Sequence, residues 1–185
     1  MFKERLSFKK IIATLLGTAL FIVFFMYCKL PSPIESTHFQ IAYAISAFFG
    51  AVFGPFVSTM MVFLGHLTND ILIYDICWSW IIASTVTGFF SGLAYYQFDL
   101  AKGEMPNFKF YAYNIIGHGL AWLIIAPALD RIIYDEAWYI IFEECSLAFA
   151  NNTLSSVILG GLFCVIYAKT RKHSFFDETE DELDK

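Results

Sequence analysis

His66, Asn69 and Asp70 stand at i, i+3 and i+4, a spacing that puts an imidazole, an amide and a carboxylate on one face of a helix. They interrupt a run that is otherwise apolar from Phe56 to about Tyr74. Polar side chains at membrane depth are costly unless they face a bundle interior or a wet cavity, which makes them functional candidates. Counted from Pro55 at about 1.5 Å per residue, His66 lies roughly 16 Å along the run, near the middle of a bilayer. Gln40 and Tyr43 sit at the start of the preceding apolar run, Trp78 and Trp80 at the start of the following one, and Asn151 and Asn152 in the last. Amide, carboxylate, imidazole and indole groups brought to one depth suit a pocket for a polar, ring-containing molecule. Catalysis has less support. His66 and Asp70 have the spacing of two metal ligands, but no third ligand follows at a matching interval. The chain has no GxSxG turn, no phosphate-binding Gly loop and no Walker motif, so ATP-driven work would fall to a partner.

Each residue also has a plainer reading. Asp70 could cap a helix or pair with Arg131, and His66 could be a packing histidine between helices. Asn151 and Asn152 could be interhelical glue, and Trp78 and Trp80 could be interfacial belt residues. Asn114 and His118 lie elsewhere along the chain, where packing is the expected role. Convergence of four separate apolar runs on one level is what favours a pocket.

The elements that must hold these residues follow from composition. Hydrophobic residues make up 58% of the 185 and charged residues 16%, with 21 Phe; soluble domains carry about a quarter charged residues. Lipid can cover so much apolar surface. Six apolar stretches approach the roughly 20 residues that a spanning helix needs: Ile11 to Cys28, Phe39 to Phe53, Phe56 to about Tyr74, Trp80 to Phe98, Phe110 to Leu129 and Leu147 to Ala168. Pro31-Ser32-Pro33 and Gly54-Pro55 break the chain between them, and the acidic, aromatic stretch Asp130 to Glu144 has room for a short interfacial helix. Cys28, Cys77, Cys145 and Cys164 show no CxxC or metal-ligand spacing and read as small hydrophobes.

An all-α membrane protein is therefore expected, a bundle of six transmembrane helices with both termini cytoplasmic. Lys3, Arg5, Lys9, Lys10, Lys102, Lys109, Lys169, Arg171 and Lys172 fall on one side of that arrangement, and only Lys29 and Arg131 on the other. The positive-inside rule makes the first side cytoplasmic. The opposite side carries Glu35, Asp70, Asp75, Asp130, Asp135, Glu136, Glu143 and Glu144, with Tyr74, Trp138 and Tyr139 as belt aromatics. Residues 1–172 form the transmembrane domain, and the acidic run in 173–185 reads as a disordered cytoplasmic tail. The few basic residues sit at helix ends, so nucleic acid is not an expected partner.

Several of these residues together resemble a known family. Pro31-Ser32-Pro33-Ile34, Gln40-Ile41-Ala42-Tyr43-Ala44, Phe53-Gly54-Pro55, Gly65-His66 with Asn69-Asp70, Trp78-Ser79-Trp80 and Ala126-Pro127-Ala128-Leu129-Asp130 are similar, in that order, to the substrate-binding (S) components of energy-coupling factor (ECF) vitamin transporters. The likeness spans about residues 8 to 168 and is strongest to the riboflavin-type branch, some of whose members have been assigned to cobalamin. It implies a vitamin pocket near the outer surface, a membrane scaffold subunit and two ATP-binding-cassette ATPases as partners, and toppling of the S component on ATP hydrolysis. The vitamin would be cargo, and no cofactor or metal is implied. The family's small-residue contact with the scaffold maps onto Ala13 and Gly17, where the glycine departs from the usual alanine. The aromatic-acidic stretch and the Trp78/Trp80 pair suit a large guest, so cobalamin is expected ahead of riboflavin, with a membrane-embedded metal-dependent enzyme as a remoter alternative. The bacterial cytoplasmic membrane is the implied location.

Overall fold

A computed structural model describes residues 7–31, 38–73 and 75–171. Glu35, Tyr74, the N-terminal Lys3 and Arg5, and the tail from residue 172 onward lie outside the described residues. Helix α1 (Phe8–Tyr27) starts at Ser7, whose hydroxyl accepts from the Lys10 backbone N–H and so meets one of the orphan donors of a helix start. Two short strands follow, β1 (Lys29–Leu30) and β2 (Phe39–Gln40), antiparallel with Lys29 opposite Gln40. Helix α2 (Ala42–Phe53) is reversed into α3 (Pro55–Ile73) by Gly54 at φ 93°, a value that favours glycine. Helix α4 (Trp78–Leu93) leads through two 3-10 turns, Ala94–Tyr96 and Leu100–Lys102, to α5 (Phe108–Tyr134) and α6 (Trp138–Arg171).

Four of these helices, α1, α3, α5 and α6, are long and apolar enough to cross a membrane, while α2 is apolar but shorter. The reason α2 can be short is its position. Ala42 to Ala47, Phe49, Gly50 and Ala51 are all buried, so it stands inside the bundle with the others around it. Small residues allow that approach. A Cβ added at Gly50 would meet the Gly92 backbone at 2.8 Å, and one at Gly88 would meet the Ser58 carbonyl at 2.7 Å. Outward-facing side chains are large and apolar, for example Leu15, Leu16, Ile116, Ile124, Ile158 and Ile166. That inversion of a soluble surface fits a lipid solvent.

Three expectations change. Gln40 belongs to a strand, since its segment returns beside Lys29 instead of starting the second helix. No separate interfacial helix fills Asp130 to Glu144: α5 runs on to Tyr134, a turn takes residues 135–137, and α6 begins at Trp138. Asp135 closes α5 at φ 51° with its carboxylate 2.7 Å from Arg131, a short left-handed cap that leaves no room for another element. Ala13 and Gly17 point inward. Ala13 is 5% exposed, and a Cβ at Gly17 would lie 2.8 Å from Met61 Sδ and 2.9 Å from Phe49. Their small size serves the fit of α1 against α2 and α3 within the chain.

A candidate ligand pocket at one end of the bundle

The ends of α1, α3 and α5 and the starts of α4 and α6 gather at one end of the bundle. A hollow of about 240 Å³ opens there. Phe25 of α1, Tyr43 of α2, and His66 and Asp70 of α3 form its inner wall. Asp75, Cys77 and Trp80 close it from the segment entering α4, and His38 and Gln40 from the β2 segment. Glu144, Ala148 and Asn152 complete it from α6. A second hollow of about 290 Å³ adjoins it, sharing Asp75, Cys77, Trp80 and Glu144 and extending to Asp130, Tyr134 and Glu136.

Ser84 organises the inner wall. Its hydroxyl lies 2.8 Å from the Tyr43 hydroxyl and 2.6 Å from His66 Nδ1, and His66 Nε2 faces an Asp70 carboxylate oxygen at 3.5 Å. One assignment satisfies every member: Tyr43 O–H donates to Ser84, Ser84 O–H donates to Nδ1, and Nε2–H points to Asp70. Asp70 also accepts from the Cys77 backbone N–H at 3.0 Å, so it ties the end of α3 to the start of α4. Arg131, the other partner its position offers Asp70, is engaged with Asp135. Asp70 thus joins α3 to the segment entering α4 while it stands on the wall.

Trp80 and Trp78 separate clearly. The Trp80 indole lines the hollow, packs edge-on against the buried Trp122 at 5.1 Å, and donates to Asp130 at 3.3 Å. Asp130 further accepts from Ser79 and from the Cys145 thiol. Trp78 is 46% exposed and faces away, its backbone N–H donating to the Tyr134 hydroxyl. Trp138 and Tyr139 are also exposed, as belt residues would be.

Of the nine residues singled out from the sequence, Gln40, Tyr43, His66, Asp70, Trp80 and Asn152 come together on the hollow; Asn69, Trp78 and Asn151 do not line it. Asn69 is buried on α3, with its amide donating to the Gly65 carbonyl. Asn151 is buried on α6, one position round the helix from the lining residue Asn152. His118 and Asn114 are packing residues: His118 bonds Ser156 and Trp122, and Asn114 bonds Ser91 and the Phe110 carbonyl. Sequence reasoning missed Phe25, His38, Asp75, Cys77, Ser84, Asp130 and Glu144. Two of these left a trace, because Glu144, Ala148 and Asn152 recur at intervals of four and so share a helix face, as do Trp80 and Ser84. Among the described residues, no three His, Cys, Asp or Glu side chains gather in a way that would hold a metal ion.

Residues 5–169 match the family described as the S component of ECF-type riboflavin transporters. The chain belongs to that family. Curated relatives agree with it in extent: a UPF0397 protein of Lactobacillus acidophilus is 32% identical over 170 residues, covering 90% of this chain and 92% of its own length. One from Streptococcus gordonii is 33% identical over 178 residues, covering 94% and 95%. The crystal structure of FolT bound with folic acid superposes with a TM-score of 0.62 at 15% identity, over 84% of this chain and 94% of that one. At that identity the likeness concerns the fold, which this S component shares with FolT.

Proposed function

We propose that this S component captures a flat, ring-bearing vitamin in the hollow at the α3–α4 end and delivers it through an ATP-driven complex in the bacterial cytoplasmic membrane. The observation that carries this reading is the convergence of five helices and a strand on one hollow whose wall combines Tyr43, His66 and Asp70 with the Trp80 indole. Apolar and aromatic surface with a few convergent polar groups is the usual make-up of a small-molecule site. The size of the hollow, about 240 Å³, lies just below the roughly 300–1,000 Å³ of drug-sized ligand sites, which suits a flavin-sized guest better than the much bulkier cobalamin. Cobalamin remains a second reading because the adjoining hollow doubles the space and shares one wall.

All six helices cross the membrane in this reading, with α2 and α4 completed by their flanking turns. Lys9, Lys10, Lys102, Lys109, Lys169 and Arg171 mark the cytoplasmic end. Residues 1–172 act as the binding domain and 173–185 as a cytoplasmic tail. A membrane scaffold subunit and two ATPases supply the energy, and the chain itself catalyses nothing. Docking to the scaffold uses the exposed face of α1, where Ile12, Leu15 and Leu16 stand beside the inward-facing Ala13 and Gly17. The test is calorimetric titration of the purified chain in nanodiscs with riboflavin and with cobalamin. Riboflavin binding that Trp80→Ala weakens supports the proposal, tighter cobalamin binding supports the second reading, and binding of neither vitamin removes both.

A further inference from the structure

We infer that the hollow selects against net negative charge: its guest is a nitrogen heterocycle, neutral or cationic overall and rich in N–H or O–H donors, without a phosphate monoester or free carboxylate. This rests on the reading of the hollow as the vitamin site.

Three carboxylates line the hollow, Asp70, Asp75 and Glu144, and among the described residues no Lys or Arg does. Arg131 is held by Asp135 and by the carbonyls of Asp135 and Glu136, and Lys29 stands on β1 opposite Gln40 without reaching the lining.

The second observation is independent of charge. Asn152 is 3% exposed and lines the hollow, yet among the described residues its Oδ1 has no hydrogen-bond partner, and the buried Oε1 of Gln40, also in the lining, has none either. Both orphans are acceptors, and a buried polar atom left unpaired costs about 1–3 kcal/mol. A guest that donates to them recovers that cost. An anion brought beside Asp70 in a low-dielectric site meets repulsion, which is strongest where water is excluded. The wall thus offers oxygen acceptors to a donor-bearing ring; against its three carboxylates stand only the imidazoles of His38 and His66, with no Lys or Arg among the described lining residues to pair with a phosphate.

A matched series tests this on the full chain in nanodiscs: riboflavin, riboflavin 5′-phosphate, thiamine, cobalamin and folate, titrated at pH 7. Riboflavin should bind at least tenfold more tightly than its phosphate, and Asp70→Asn should narrow that gap severalfold. At least one of riboflavin, thiamine and cobalamin should bind at least tenfold more tightly than folate. Equal or tighter binding of the phosphate or of folate overturns the charge selection while leaving the vitamin site in place. Absence of binding by all five probes overturns the site assignment and the inference with it.

Discussion

At the residue scale, Ser84 and Trp80 separate the roles of holding the pocket and of touching its guest. Ser84 has no surface in the hollow's lining, but it joins Tyr43 to His66. Ser84→Ala leaves a buried phenol and an imidazole nitrogen without their shared partner. The expected cost is about 1–3 kcal/mol of stability, read as a lowered thermal unfolding midpoint, with ligand affinity falling because both side chains lose their orientation. Trp80 presents its ring to the hollow, whereas Trp78 faces outward. Trp80→Ala should weaken vitamin binding by about tenfold, the equivalent of about 1.4 kcal/mol, and Trp78→Ala should leave it within twofold. Equal effects in the same titration would mean that Trp80 acts only as a membrane anchor.

At the element scale, close helix approach rests on particular glycines, and their neighbours decide how each tolerates a methyl group. A Cβ at Gly92 would run into the Pro55 backbone, where α3 begins. At Gly17 it would meet the ends of Met61 and Phe49, which are flexible side chains. Gly92→Ala should therefore cost more than the roughly 1–3 kcal/mol typical of overpacking and sharply reduce folded yield, while Gly17→Ala should unfold within a few degrees of the native chain. The same contrast shows what could be read from the sequence. Helix positions followed from apolar length, and the Gly54-Pro55 reversal from two residues that permit little else. The small residues of α1 were visible, but the face they occupy was not, because a close-packing stripe has the same spacing whether it meets a neighbour within the chain or a separate subunit. The β2 segment and Glu144 were missed for a related reason. A hydropathy window places an element by its apolar middle, and these residues lie just past the ends of apolar runs, where a pocket has to open.

At the scale of the whole molecule, the pocket has a direction only if the bundle does. Its acidic end carries Asp75, Asp130, Glu136 and Glu144, and the opposite end carries Lys10 over the Tyr95 ring, Lys102 beside Asp99, and Arg171 on Tyr167. The orientation proposed above, with the basic loops retained in the cytoplasm, turns the hollow outward. In the proposed orientation a vitamin would enter from outside, and α2, buried within the bundle, would stand between the hollow and the basic end. Orientation can be measured without a ligand. In a version lacking the four native cysteines, Asp135→Cys should react with a membrane-impermeant maleimide in intact cells, and Gly103→Cys only after permeabilisation. Both positions have positive φ and lie in turns, so each comparison includes the unlabelled fold as measured by thermal unfolding. Labelling of Gly103→Cys alone from outside would invert the bundle and make the hollow an exit site, whereas labelling of both from outside would mean that α5 does not cross.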